Sequence, residues 1–257
     1  MGEVIAVTSG KGGVGKSNIS LHLGATLAKQ GYRVVLVDMD LGLKNLDVMM
    51  GLENRVIYDL LDVMKGNCSL SQALIKDKHM DTLFLLPACK SVHLEQVEEV
   101  PLKKVIGYLK QHYDYVFLDS AAGLESGFHF SISCCDQVII VATLDYTSLN
   151  DADRVIGILL KSGIETIRLV LNKVNPRYIE KGFCVSIKEA LTFLALDLLG
   201  IVYEEETMIK NNNKGYLSLQ EDGMIKDCFA CMAARLQGEN SEFPKYRGKS
   251  LLQRMFG

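Results

Sequence analysis

Four glycines and two lysines crowd into nine residues at positions 9–17, SGKGGVGKS. Glycines at this spacing leave backbone N–H groups free to converge on an anion with no side chain in the way. The run Gly10-Lys11-Gly12-Gly13-Val14-Gly15-Lys16-Ser17 fits G-x-x-x-x-G-K-[ST], with the strand-like VIAVTS before it and a helix-like stretch after it. Such a loop cradles nucleotide phosphates. Lys16 would reach the β- and γ-phosphates, the Ser17 hydroxyl would ligate Mg2+, and the helix N-terminus adds favourable partial charge. Lys11 is surplus to that task. Two neighbouring lysines without a shared anion repel. The flexible stem of Lys11 either carries its charge outward to a nucleotide in a facing subunit or leaves it solvated.

Acidic residues in two other places could complete the chemistry. Asp38 and Asp40 stand one residue apart in VVLVDMDLGLKNLDV, directly after a second strand-like run. Two acids on a turn beside a triphosphate can hold the magnesium shell and position water for in-line attack. Asp119 closes YDYVFLD, the place of a magnesium-side aspartate in a phosphate-loop enzyme, although strand-end acids also serve as turn formers. Asn172 closes IRLVLNKV, where one amide face can read N6 and N7 of adenine. A turn-forming asparagine ahead of Asn175-Pro176 is the competing reading.

These residues need a scaffold that brings them together. Apolar runs at 4–9, 34–38, 82–86, 115–119, 137–142, 167–174 and 199–203 alternate with helix-period segments at 17–30 (closed by Gly31), 94–112, 147–162 and 186–196. Continuous β-branched runs, without polar alternation, predict strands covered on both faces. Their alternation with helices predicts a doubly wound α/β fold on a mostly parallel sheet. Ligands bind beyond the carboxyl ends of such strands, and Ser9, Asp38, Asp119 and Asn172 fall at or near those ends.

KGGVGKS resembles the signature of the deviant Walker ATPases, the ParA/MinD family, which also takes in flagellar-number regulators and nitrogenase-iron-protein relatives. The likeness continues along most of the chain through DMDLGLKNLDVMMGLENRVIYDLLDVMKG, SQALIKDKHMDTLFLLPAC, DSAAGLESG and DADRVIGIL. DLGLKNLD is shared with the flagellar-number branch, whereas LIKDK followed by LLPA is closer to the branch that places the division septum. The resemblance implies an ATPase in which Lys11 crosses a dimer interface to the partner's ATP, so that nucleotide binding and dimerisation are coupled. It also implies Asp40 for the attacking water, Asp38 for the magnesium shell and an adenine-side loop through Asn213. The loop residues Gly12, Gly13, Val14, Gly15, Lys16, Ser17 and Asn18 would hold phosphates. Expected partners are a second copy of the chain, a MinC-like division inhibitor and a MinE-like or other polar regulator. Asp151 and Asp153, in NDADRVIGILL, are candidates for partner binding by the same resemblance. As residues of an amphipathic helix they are equally well a solvated face.

The C-terminus is a separate observation. In KYRGKSLLQRMFG, helical spacing puts Leu251, Leu252, Met255 and Phe256 on one face, with Lys249 and Arg254 among the remaining positions and Lys245 and Arg247 upstream. A short helix with bulky apolar residues and basic neighbours suits an anionic membrane surface. Burial of four such side chains at about 1.5–3 kcal/mol each has a ceiling of roughly 10 kcal/mol. Ordering a helix this short erodes much of that, so one copy is marginal and two copies in a dimer gain by avidity. Packing of the tail on its own domain is the alternative. The expected organisation is an ATPase domain at 1–237, a polar linker at 238–247 and a membrane-targeting amphipathic helix at 248–257.

Three positions depart from the family pattern. Ser17-Asn18 replaces Thr-Thr, which keeps a metal-ligating hydroxyl and a backbone N–H for the α-phosphate. Ala121 and Tyr203 stand where proline is usual, which bears on loop stiffness and on the adenine-side loop. Cys228-Phe-Ala-Cys231 is a CxxC of the kind that iron–sulfur carrier ATPases bear late in the chain, but it lies in an apolar, helix-like segment where cysteine packs as a small hydrophobe. An odd total of seven cysteines, mostly in apolar contexts, argues against a disulfide framework and for a reducing cytosol. A net charge of −3 argues against a nucleic-acid partner. Neither a secretory signal nor a spanning helix is expected, so membrane contact would be peripheral, on the inner face of the cell membrane. Besides septum placement, the readings left open are a flagellar-number ATPase, an iron–sulfur carrier using Cys228 and Cys231, and a nucleotide-gated scaffold without turnover.

Overall fold

The computed structural model describes residues 1–40, 46–88, 98–121, 123, 126–205 and 223–246. Among the described residues, eight strands form one sheet: β1 (Glu3–Thr8), β2 (Val34–Met39), β3 (Ile75–Lys76), β4 (Leu83–Leu86), β5 (Tyr115–Ser120), β6 (Gln137–Ala142), β7 (Ile167–Val174) and β8 (Asp197–Tyr203). Their order is β3-β4-β2-β5-β1-β6-β7-β8. All neighbours pair in parallel except β3, which runs antiparallel to β4. Every residue of β2 and β6 is buried, as continuous apolar runs require when helices cover both faces.

The helices are α1 (Lys16–Lys29), α2 (Leu46–Met49), α3 (Leu60–Met64), α4 (Leu70–Ala73), α5 (Glu99–His112), α6 (Ser126–Cys134), α7 (Tyr146–Lys161), α8 (Pro176–Glu180), α9 (Ile187–Leu194) and α10 (Met224–Leu236). After β1 the chain passes through α1 and over β5 to reach β2, whereas β6, β7 and β8 follow one another on the other side of β1. Strand order therefore reverses at β1, and the carboxyl end of β1 is the switch point where a ligand crevice forms.

The helix boundaries have local causes. Helix α1 closes where Gly31 takes φ 97°; its N–H donates to Ala28 O at 3.0 Å and the Tyr32 N–H to Leu27 O at 3.2 Å. These paired bonds satisfy carbonyls that the helix end would otherwise leave bare. Helix α9 starts on a capping box between Ser186 and Glu189 and stops where Ala195 turns left-handed at φ 50°. The helix expected over 94–112 begins at Glu99 in the structure, because Glu98 is extended at φ −101° and ψ 137°; residues 94–97 lie outside the described residues. Helix α10 packs on β8 and α1, with the Phe229 ring stacked 5.1 Å from the buried His22 imidazole.

The stretch after α10 is held against the domain as far as Tyr246. The Arg235 guanidinium lies over Phe243, 4.4 Å from the ring centroid. Tyr203 OH donates to Pro244 O at 3.0 Å, and the Tyr203 and Tyr246 rings sit 5.2 Å apart.

Candidate nucleotide site

The loop after β1 is built by its glycines. Gly13 and Gly15 hold φ of 76° and 99°, a region that side-chained residues avoid. A Cβ on Gly15 would also stand 2.3 Å from Asn172 Nδ2. Ser9 Oγ donates to Lys11 O at 2.8 Å across the start of the loop. Lys16 opens α1 and is buried. Burial pulls its pKa down, and the charges of Asp119 and Asp40 oppose that shift.

The acids converge on Lys16 because their strands are neighbours in register. Asp38 on β2 pairs with Asp119 on β5, and Asp119 in turn sits beside Val7 on β1. Both aspartates are almost fully buried. Asp119 accepts from Ser20 Oγ at 2.9 Å and from the Ser17 side chain. Burial pushes its carboxyl up to about 6, against the Ser17 and Ser20 hydrogen bonds and the Lys16 charge, while Asp40 adds to the rise. Asp38 accepts from the Asp40 N–H at 3.1 Å and from the Leu46 N–H at 3.5 Å. Asp40 is half-buried and faces the same cluster through its charge.

This donor set suits a magnesium nucleotide. A buried ammonium group stands with two buried carboxylates and two serine hydroxyls where open glycine backbone meets a helix N-terminus. A buried carboxyl raised this far is one that an incoming cation stabilises.

Lys11 takes a different place. Its Nζ lies 3.0 Å from Thr147 Oγ1 and 3.4 Å from Asp145 Oδ1, at the N-terminus of α7 in the same chain. Asp145 caps that helix by accepting from the Ser148 N–H at 3.0 Å. Partial burial raises its carboxyl, but hydrogen bonds from Thr143, Thr147 and Ser148, with the Lys11 charge, outweigh it and hold the group well below the usual range. Lys11, Gly12, Gly13 and Val14 line a cleft of about 330 Å³ whose far wall includes Asp145, Lys173 and Tyr178.

Asn172 reaches the site by way of the loop. Its Nδ2 donates to Val14 O at 2.7 Å, and the side chain is buried. Asp151 and Asp153 lie on α7; Asp153 is exposed, and Asp151 pairs with Arg154 at 3.5 Å. The Asp151 backbone packs on Gly10, so that a Cβ on Gly10 would stand 2.3 Å from the Asp151 carbonyl. Ala121 is buried just after β5. Cys228 and Cys231 are buried core positions of α10: the Cys228 thiol is pushed up to about 12 by burial, and Cys231 Sγ lies 3.4 Å from Glu242 O. Asn213, Lys249, Leu251, Leu252, Arg254, Met255 and Phe256 lie outside the described residues.

Four residues of the site have no part in the sequence reading: Ser20, Asp145, Thr147 and Lys173. An aspartate directly before a helix-period segment is an N-cap signal, and it could have placed Asp145. The contact between Lys11 and Asp145, 134 positions apart, had no local signature.

Sheet order, loop and carboxylates define a phosphate-loop nucleoside triphosphatase fold of the deviant Walker type. An AAA domain family model matches residues 2–175. The septum site-determining protein MinD of Bacillus subtilis is 43% identical over 243 residues, which cover 93% of this chain and 91% of that protein. The putative septum site-determining protein MinD of Guillardia theta is 41% identical over 245 residues, 95% of this chain and 91% of its own length. Among solved structures, a chain of the MinC:MinD cell division protein complex of Aquifex aeolicus superposes with a TM-score of 0.89 at 35% identity, over 95% of this chain and 100% of that one. MinD of Pyrococcus horikoshii, complexed with Mg-ADP, gives 0.82 at 25% identity over 92% and 96%. The chain belongs to the MinD family of septum site-determining proteins.

Proposed function

We propose that the protein is a magnesium-dependent ATPase that dimerises on ATP, attaches reversibly to the membrane through its last ten residues and takes part in placing the division septum. The observation that carries the reading is the cluster of buried Lys16, at the start of α1 after the glycine loop, with Asp38 and Asp119 buried at adjoining strand ends. Lys16 and the backbone amides of residues 12–18 hold the phosphates, and Lys11 acts across the dimer. Ser17, Asp38 and Asp119 are the residues to hold magnesium, which when bound neutralises charge on the triphosphate. Asp40 orients water for in-line attack on the γ-phosphorus, with ADP leaving. Asn172 and Asn213 border the base. The MinC:MinD complex of the Aquifex relative supports a MinC-like division inhibitor as partner. Asp151 and Asp153 on α7 are the surface offered for it or for a MinE-like or other polar regulator. Hydrolysis undoes the dimer and so releases both tails from the membrane.

The test is sedimentation with anionic liposomes under ATP and ADP, using the intact chain and one truncated after Arg247, with phosphate release measured in parallel. Binding that needs both ATP and the tail supports the reading. Binding under either nucleotide alike, or by the truncated chain, overturns the membrane switch, and the lack of phosphate release overturns the ATPase.

A further inference from the structure

We infer that Lys173 is a positioning residue for the phosphate-binding amides, acting with its neighbour Asn172; this rests on the ATPase reading above. Successive side chains of a regular strand point to opposite faces of the sheet. Asn172 and Lys173 are successive residues of β7, yet both reach the same loop: Asn172 Nδ2 lies 2.7 Å from Val14 O and Lys173 Nζ 2.8 Å from Gly13 O. Two features of the backbone make this possible. The pairing of β7 with β8 slips between Leu171 and Val174, and Lys173 takes a left-handed φ of 55°. A bulge of this kind re-aims a side chain, and a lysine at positive φ is a strained conformation that persists only where its surroundings over-determine it.

The two carbonyls so held belong to consecutive peptide units. In a trans peptide the C=O and the following N–H point in opposite directions. Anchoring Gly13 C=O toward β7 turns the Val14 N–H away from β7, and anchoring Val14 C=O does the same for the Gly15 N–H. Two adjacent amides are thereby aimed together into the loop before any anion arrives, which is what a phosphate nest needs. Gly13 at φ 76° and Gly15 at φ 99° let the backbone take that shape. Lys173 is exposed and Asn172 is buried, so the lysine is the tether that solvent competes for. It also shares the cleft wall with Lys11, Asp145 and Tyr178. Its amino group thus braces the loop from the side opposite the phosphates.

The experiment compares the full-length wild type with Lys173→Met, which keeps the stem and loses the donor, and with Lys173→Arg, which keeps a donor. Fluorescent ATP and ADP analogues give Kd and release rate, and steady-state kinetics give kcat and KM separately. Loss of one charge-assisted hydrogen bond, partly replaced by water, predicts for Lys173→Met about a fivefold rise in Kd for both nucleotides through faster release. At saturating ATP its kcat is expected within about twofold of wild type, because an amide aimed in the ground state acts on binding uniformly. Lys173→Arg restores the affinity, and the apo melting temperature is the same in all three. Wild-type affinity in Lys173→Met, a fall in kcat without a change in Kd, or failure of Arg to rescue overturns the inference alone. Failure of the wild type to bind ATP overturns the ATPase reading and the inference with it.

Discussion

Lys11 donates to Thr147 at 3.0 Å, within its own chain. The expected destination of Lys11 is a partner's nucleotide, so dimerisation would exchange this contact for a new one. The exchange is cheap. Lys11 and Asp145 are each nearly half exposed, and ion pairs in that setting stabilise by under about 1 kcal/mol. Lys11→Ala is therefore expected to leave the melting temperature within about 3 °C of wild type. Light scattering with ATP should show a monomer for this variant and, on the reading above, a dimer for the wild type. A variant that still dimerises would remove Lys11 from the interface.

Gly10 and Gly107 predict opposite outcomes for the same substitution. A Cβ on Gly10 meets Asp151 backbone atoms at 2.3 Å, which no rotamer change relieves. Gly10→Ala should lose about 1–3 kcal/mol in urea unfolding. Gly107, inside α5, has open space where a Cβ would go, and Gly107→Ala should gain about 0.5–1 kcal/mol. Equal urea midpoints for the two variants would contradict the packing described.

His22 makes stability fall as pH falls. Its imidazole is fully buried, and burial lowers the pKa from 6.5 to about 4, opposed by the hydrogen bond to Asn18 O at 2.9 Å. Because that partner is a carbonyl, Nδ1 carries the hydrogen and Nε2 is left as the unprotonated nitrogen. The unfolded chain takes up a proton first, so the contribution is complete above 6.5 and is lost progressively down to about 4. The size is about 3 kcal/mol across the window. His22→Phe preserves the stack on Phe229 and removes the titration. Urea midpoints at pH 7.5 and 5 should converge in that variant relative to wild type; an unchanged pH slope would contradict the assignment.

Among the described residues, seven of the eight strands are legible because buried parallel strands are written as mainly apolar runs. Strand β3 was not, since two residues carry no periodicity. That Lys16, Ser17, Asp38 and Asp119 come together is legible, because a phosphate loop fixes residue type and spacing, and strand ends follow from strand runs. Asn172 was placed at the right strand end, but the slip in β7 that turns its amide onto the loop depends on pairing with β8. Lys173 escaped for the same reason: its direction is set by a backbone angle that tertiary pairing enforces. Asp145 and Thr147 stand beside Lys11 only because β6 lies next to β1.

The ring of Tyr246 against Tyr203 fixes the root of the last eleven residues, 247–257. Tyr203 ends β8 opposite Val174, at the same end of the parallel sheet as the phosphate loop. A chain of that length spans at most about 40 Å when fully extended. The chain thus leaves the described domain at the carboxyl end of the sheet. A surface bound by the proposed C-terminal helix would therefore hold that end of the molecule, rather than the opposite pole, within this distance.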